Sequence, residues 1–244
     1  MKAMIFAAGF GTRLRPLTLT TPKPLVKIAG QPILGWILDY LSGHGVDEAI
    51  INTHYLSEQL EAFAASYDGK IQLSSILEKP EILGTGGGLF NAKDFFSGGS
   101  ESFLLCTSDI LTDLNVVSFA DFHNQKGHTV TLALNKVQSR GMLLFDEEMN
   151  LAGRINHDTG VKTLVAGAKG RFSEWGFSGF HMLHPHYFGL VEGKPEFDII
   201  AQYLELASQG HKIQGFNASD AWFADIGSPA QLRAAQDEIT KQKG

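Results

Sequence analysis

Residues Ala7–Leu25, AAGFGTRLRPLTLTTPKPL, follow directly on a short apolar run, Met4-Ile5-Phe6, and decide how the rest of the chain is read. The apolar run is a buried strand by its composition, and Gly9 and Gly11 then free the backbone for a sharp turn. A loop of this kind aims consecutive N–H groups at one anion, while Arg13 and Lys23 add full positive charges. Pro22 and Pro24 are expected to hold the lysine's backbone extended, so that its ammonium points one way. The chemistry implied is the handling of a polyphosphate. Two familiar phosphate loops do not fit. No Gly-x-x-x-x-Gly-Lys-Ser/Thr run starts here, and Leu14 stands where the dinucleotide fingerprint needs its third glycine.

Outward from this segment, strands and helices alternate. Pro32–Leu41 has helical spacing and ends at Gly43 and Gly45; Ala49-Ile50-Ile51 reads as a strand and Leu56–Ala65 as a helix. Ile71–Leu77 is strand-like, a glycine-rich segment follows, Leu89–Phe96 reads as a helix, and the strand Ser102–Thr107 stops at Ser108-Asp109. Such alternation implies parallel strands with helices on both faces, and a site at the strands' carboxyl ends. Gly9, Gly84–Gly88 and Asp109 are expected to gather there. In the second half, Thr129–Leu134, Met142–Phe145 and Trp175–Leu183 read as strands and Phe197–Ala207 as a helix. Ala221–Ala224 is a last strand, and Ser228-Pro229-Ala230-Gln231 opens a final helix with a cap, a first-turn proline and a capping-box partner.

Composition narrows the class. The 244 residues are 43% hydrophobic, enough for one substantial core, and no linker, repeat or low-complexity tract divides them. Net charge is −6 with no basic run, which argues against a nucleic-acid surface. The single cysteine, Cys106, has no partner for an internal disulfide and suits a reducing compartment. The N-terminal apolar stretch is too short for a signal peptide, and no run approaches a membrane span. The expectation is a cytoplasmic protein.

Gly9-Phe10-Gly11-Thr12-Arg13-Leu14-Arg15-Pro16-Leu17-Thr18, followed by Pro22-Lys23-Pro24-Leu25, resembles the signature of the sugar-1-phosphate nucleotidylyltransferases, or NDP-sugar pyrophosphorylases. The likeness extends through most of the chain and runs to the short bacterial members that include N-acetylmuramate-1-phosphate uridylyltransferase. It implies an α/β fold with a Rossmann-like, doubly wound mixed sheet of the nucleotide-diphospho-sugar transferase (GT-A-like) type. It also implies one catalytic domain over residues 1–244, without the C-terminal β-helix of larger relatives. The implied substrates are an NTP and a sugar 1-phosphate, with Mg²⁺ as cofactor, in a monomer or homodimer that binds neither nucleic acid nor membrane.

In nucleotidyl transfer a phosphate oxygen of the sugar 1-phosphate attacks the α-phosphorus of the NTP and pyrophosphate leaves. The nucleophile is already anionic, so the protein must chiefly neutralise charge and align the reactants. Arg13 suits the triphosphate, because a guanidinium forks onto two phosphate oxygens; Lys23 suits the meeting point of the two phosphates. The backbone of Ala8, Gly9, Gly11 and Thr12 belongs to the same nucleotide loop. Asp109 and Asp225, each at the end of an apolar strand, match the family's two metal-binding aspartates; a helix cap or Asx turn is the other reading of each. Leu83–Gly88 resembles the family's base-recognition loop, with Gly84 and Gly86 admitting a planar base, Thr85 adding a hydroxyl and Glu78 accepting from base or ribose. Gly141 and Gly179 match positions where backbone meets the sugar.

The chain departs from the family pattern in two places. Asn156 stands where many relatives carry the glutamate of Glu-Lys-Pro, and Thr107-Ser108 precede Asp109 where many have Asn-Gly or Gly. Asn156 is then a neutral sugar ligand that can donate. His181, His184 and His186 are too irregularly spaced around Pro185 for a zinc site and read as surface or packing residues. The first expectation for substrates is UTP with N-acetylmuramate 1-phosphate. Alternatives are mannose- or heptose-1-phosphate guanylyl transfer, phosphocholine cytidylyl transfer, and a non-catalytic nucleotide-sugar-binding regulator.

Overall fold

The computed structural model describes residues 1–191 and 196–243. In chain order the first elements are β1 (Lys2–Phe6), β2 (Lys27–Ile28), β3 (Gln31–Pro32), α1 (Ile33–Ser42), β4 (Glu48–Thr53), α2 (Ser57–Ser66) and β5 (Gln72–Leu77). Then come α3 (Gly84–Asn91), α4 (Lys93–Phe96), β6 (Phe103–Thr107), β7 (Ile110–Thr112) and α5 (Val116–Lys126). Strands β8 (Val130–Asn135), β9 (Gly141–Phe145), β10 (Leu151–Asn156), β11 (Lys162–Leu164) and β12 (Ser173–Leu183) follow. The chain closes with α6 (Tyr187–Leu190), α7 (Ile199–Ser208), β13 (Ile213–Asn217), β14 (Phe223–Asp225) and α8 (Pro229–Lys243). The chain divides into two compact units, one of residues 1–82, 106–114 and 222–244 and the other of residues 83–105 and 115–221.

In the first unit β1, β4 and β5 run parallel, with Met4 opposite Ile50 and Ile51 opposite Ser75. Parallel neighbours need crossovers, and α1 and α2 supply them. Met4, Ile5, Ala49 and Ile51 of the strands are buried, as is the apolar stripe of α1, Leu34, Ile37, Leu38 and Leu41. The spacing of that stripe is why α1 forms, and Gly43 ends it as expected. Strand β7 leaves the β6 turn and pairs antiparallel with β14, so that Ile110 faces Asp225.

The second unit is largely antiparallel. β12 pairs with both β9 and β8, β9 with β10, and β10 with β11, while β13 joins β8 in parallel. Its core includes a stack of Phe96 on Phe103 at 4.0 Å between ring centroids, with Phe188 beyond at 5.7 Å from Phe103. His181 is buried and pairs with the Tyr203 hydroxyl at 2.9 Å, a packing role as the sequence suggested. Among the described residues no helix is long and apolar enough to cross a membrane.

Three expectations change. The glycine-rich segment is not a loop: Gly84–Asn91 is helical, and a separate short helix, Lys93–Phe96, replaces the single Leu89–Phe96 helix. Glycine disfavours helix by roughly 1 kcal/mol per residue, and tertiary packing overrides it here. Lys23 is not extended; it opens a 3₁₀ turn, Lys23–Leu25, in which Leu25 N–H reaches the Pro22 carbonyl at 2.8 Å and Val26 N–H the Lys23 carbonyl at 3.1 Å. Those two bonds outweigh the preference for extended backbone before Pro24. The last strand starts at Phe223 rather than Ala221 and ends on Asp225, which pairs with Ile110.

Candidate functional site

The residues expected from the sequence to meet phosphates lie in the first unit. Ala8 is buried and Gly9 exposed, and the chain turns at Gly11, whose φ is +61°. A β-carbon on Gly11 would also lie 3.1 Å from Lys23 Cβ and 3.0 Å from Thr18 Cγ2, so conformation and space both call for glycine. Buried Thr18 donates its hydroxyl to the Gly11 carbonyl at 2.7 Å and pins the turn from behind. Thr12 and Arg13 begin a 3₁₀ turn with their side chains exposed. The Arg13 guanidinium rests on Gly227: a β-carbon there would fall 2.5 Å from Nη1 and 2.8 Å from Cζ.

Lys23 Nζ lies 2.5 Å from Asp109 Oδ2, with the two side chains only 12% and 24% exposed. Asp109 stands in the turn between β6 and β7, and its carbonyl accepts from Ile226 N–H at 2.8 Å. The ribbon of β7 and β14 therefore places Asp109 and Asp225 at neighbouring positions on adjacent strands. Asp225 is exposed, and its Oδ2 accepts from Gln231 Nε2 at 3.4 Å. Gln231 thus turns to the carboxylate, and its backbone N–H takes the Ser228 cap at 3.3 Å. Magnesium uses hard oxygen donors and commonly keeps only one or two protein carboxylates beside phosphates and water. Asp109 and Asp225 fit that demand. Among the described residues no group of three or more ligating side chains gathers.

Glu78 is fully buried, and its Oε1 accepts from Asn52 Nδ2 at 2.7 Å. Direct contact with a base or ribose needs exposure that this carboxylate lacks.

The second unit carries the glycine-rich helix and a cavity. A β-carbon on Gly84 would lie 2.8 Å from the Phe197 carbonyl oxygen, and one on Gly86 would overlap the Phe197 ring. Gly86 N–H donates to the Phe197 carbonyl at 2.9 Å, and Thr85 Oγ1 accepts from Ile199 N–H at 3.0 Å. These glycines make room for Phe197, where the sequence suggested a base, and Thr85 caps the start of α7. The cavity has a volume of about 510 Å³ and is lined by Gly141, Arg154, Asn156, Thr163, Phe177 and Asp198 among others. Gly141 pairs with Asn156 and Arg154 with Leu143 across β9 and β10, which sets Arg154 and Asn156 on one face. A β-carbon on Gly141 would meet nothing within 4 Å, so its backbone is open to a ligand. Asn156 Oδ1 accepts from Asp158 N–H at 2.9 Å and Thr159 N–H at 3.2 Å, an Asx turn that aims its amide NH₂ elsewhere. Asp198 caps α7 by accepting from Ala201 N–H at 2.8 Å. Gly179 is not among the lining residues; with φ +79° it sits in the register shift of β12 between Phe177 and His181. It serves the bulge.

Sequence reasoning missed Thr18, Asn52, Gly227, Arg154 and Phe197. Asn52, Gly227 and Phe197 act through partners far along the chain, which no local pattern reports, while Thr18 acts on Gly11 within the same loop. Arg154 carried a weak signal: it is two residues before Asn156 on a strand, hence on the same face.

The description of the nucleotidyl transferase family matches residues 2–146, which include β1, the Gly9–Lys23 loop and Asp109. Mannose-1-phosphate guanylyltransferase 1 of Arabidopsis thaliana is 29% identical over 99% of this chain and 66% of its own length. The mannose-1-phosphate guanylyltransferase catalytic subunit beta of Drosophila pseudoobscura pseudoobscura is 30% identical over 93% of this chain and 59% of its own. UTP--glucose-1-phosphate uridylyltransferase of Synechocystis sp. is 28% identical over 99% and 64%. The chain thus spans about two thirds or less of the length of these relatives. Among solved structures, HddC from Yersinia pseudotuberculosis superposes with a TM-score of 0.77 at 23% identity, covering 98% of this chain and 99% of that one. A UDP-glucose pyrophosphorylase complexed with UDP-glucose gives 0.75 at 19%, covering 99% and 98%. These likenesses give the α/β fold expected from the sequence. With the signature loop built around Gly11, Arg13 and Lys23, and more than half of the residues matched, the chain belongs to the nucleotidyl transferase family.

Proposed function

We propose that this protein transfers a nucleotidyl group from an NTP to a sugar 1-phosphate, releasing pyrophosphate, and that residues 1–244 act as one catalytic domain. The observation that carries the reading is the pairing of Lys23 with Asp109 at 2.5 Å beside the Gly11 turn, a cation and a metal-type carboxylate placed where phosphates are to be handled. Arg13 would hold the triphosphate and Lys23 the transferring phosphate; the loop amides of Ala8, Gly9, Gly11 and Thr12 would share the charge. Magnesium on Asp109 and Asp225 would supply charge neutralisation at the phosphates. Gly141 and Asn156 would meet the sugar in the second unit's cavity, and Thr85, still able to donate its hydroxyl proton, would contribute to base recognition. Gly84, Gly86 and Gly179 keep structural tasks in this reading.

For the acceptor, the first choice is N-acetylmuramate 1-phosphate with UTP, in a cytoplasmic setting as monomer or homodimer. Its support is the donor-rich face of the cavity: Arg154 and the Asn156 amide suit the sugar's carboxylate, and Asp198, the one lining acid among the described residues, is engaged by α7. The second reading, GTP with mannose 1-phosphate, rests on the names of two of the relatives. Pyrophosphate release with Mg²⁺, measured for four NTPs against a panel of sugar 1-phosphates, separates them. Release from one pair only, dependent on the sugar phosphate, supports the transferase and names its substrates. Tight nucleotide binding without release from any pair overturns it in favour of a regulator.

A further inference from the structure

The peptide group between Phe6 and Ala7, where β1 gives way to the phosphate loop, is held on both sides. Its carbonyl accepts from Ser108 N–H at 3.1 Å, in the turn that carries Asp109. Its N–H donates to Asn52 Oδ1 at 2.7 Å, and Asn52 Nδ2 in turn donates to Glu78 Oε1 at 2.7 Å. Ala7 is 3% exposed, Asn52 3% and Glu78 0%. A primary amide is nearly symmetric in shape, and by itself Asn52 fits with either end toward Ala7. Turned the other way, its NH₂ would face the Ala7 N–H, donor against donor. A carboxylate accepts only, so Glu78 fixes which end of the amide faces the loop.

We propose that Asn52 and Glu78 are positioning residues for the transfer assigned above, acting through the Phe6–Ala7 peptide to keep the phosphate loop and the Asp109 turn in one alignment. The inference rests on that assignment. It removes Glu78 from direct contact with the nucleotide, because the carboxylate is fully buried and holds the Asn52 amide. Placement matters here because the reaction depends on in-line geometry, where a shift of about 1 Å costs about a hundredfold in rate.

The test reverses the polarity of the relay. Asn52→Asp sets a second carboxylate against Glu78. Asn52→Asp combined with Glu78→Gln restores both bonds, since the aspartate accepts from Ala7 and from the new amide. We expect Asn52→Asp to lower kcat by about a hundredfold with a smaller change in NTP KM. The double variant should return kcat to within about threefold of wild type, a difference of roughly 0.7 kcal/mol in barrier. Recovery of thermal stability without recovery of kcat would overturn the proposal, as would a double variant no better than Glu78→Gln with raised NTP KM, the mark of a nucleotide ligand. Should Asn52→Asp fail to fold, Asn52→Ala, which deletes the acceptor without adding charge, must lower kcat more than it raises KM or the proposal falls. Exchange protection of the Ala7 amide, read by NMR, reports the relay without turnover. It should be lost in the single variants at position 52 and regained in the double one. An inactive wild type with this pattern intact would sink the assigned reaction and leave the relay standing, whereas unchanged protection in Asn52→Ala would sink the relay.

Discussion

Arg13 lies against Gly227 so closely that position 227 has no room for a side chain, although the two residues come from opposite ends of the sequence. The guanidinium proposed above to grip the triphosphate is thereby shelved on bare backbone. Gly227→Ala should displace it. Because the group displaced is the free end of a long side chain, the melting temperature should hardly move, while kcat/KM for the NTP falls about tenfold or more. Steady-state kinetics beside a thermal melt checks both halves.

Lys23 and Asp109 form a pair that is mostly shielded from water. Asp109→Asn should reduce turnover by about a hundredfold to a thousandfold, the range for losing one preorganised electrostatic group. It should also raise the Mg²⁺ concentration for half-maximal rate. Lys23→Ala should lower turnover as much without that shift in metal dependence. Rates across a Mg²⁺ titration distinguish the two.

Arg154 lines the cavity of the second unit beside Asn156. Arg154→Ala should raise KM about tenfold for sugar 1-phosphates that bear a carboxylate and leave neutral ones nearly unchanged. A comparison of KM across the two classes is sufficient.

Gly86 faces the Phe197 ring. Gly86→Ala should destabilise the protein by about 1–3 kcal/mol through overpacking, read as a lower denaturation midpoint. Pairing it with Phe197→Leu should recover part of the loss.

His123 is buried beside the Thr131 hydroxyl at 2.8 Å, with His128, His184 and His186 nearby. Burial first, then these neighbours, pull its pKa from 6.5 down to about 4. His181, buried against Tyr203, is pulled down to about 3. The unfolded chain therefore takes up protons below about pH 6.5 that the native state refuses. Stability should be intact above that pH and fall below it, with His123 contributing to the decline down to about pH 4 and His181 down to about pH 3. His123→Asn should flatten the first part of that decline in denaturant midpoints measured against pH.

Local features proved legible and paired ones did not. The Gly9–Lys23 signature and the apolar stripe of α1 are written in consecutive residues, and both stand where the sequence put them. The strand at Ala221–Ala224 was placed within two residues, but what gives Asp225 its setting is Ile110, more than a hundred positions away. Gly84–Gly88 reads as loop by composition; only Phe197, through its carbonyl and its ring, shows why positions 84 and 86 are glycine. Glu78 reads as an exposed acceptor in one dimension and turns out buried because Asn52 offers it a donor. Gly179 was legible as a necessary glycine, but its reason is a strand bulge, which depends on the register with β8.

The ribbon that joins β7 to β14 has a consequence for how the protein comes into being. Asp109 and Asp225 lie more than a hundred positions apart, and they become neighbours only when the Phe223–Asp225 strand docks on Ile110–Thr112. Gly227, the shelf for Arg13, is made after Asp225. A nascent chain that has already folded its parallel strands β1, β4 and β5 still lacks half of its carboxylate pair and the support of its arginine. Under the proposed reading, competence for phosphate chemistry would therefore wait until residue 227 has been synthesised.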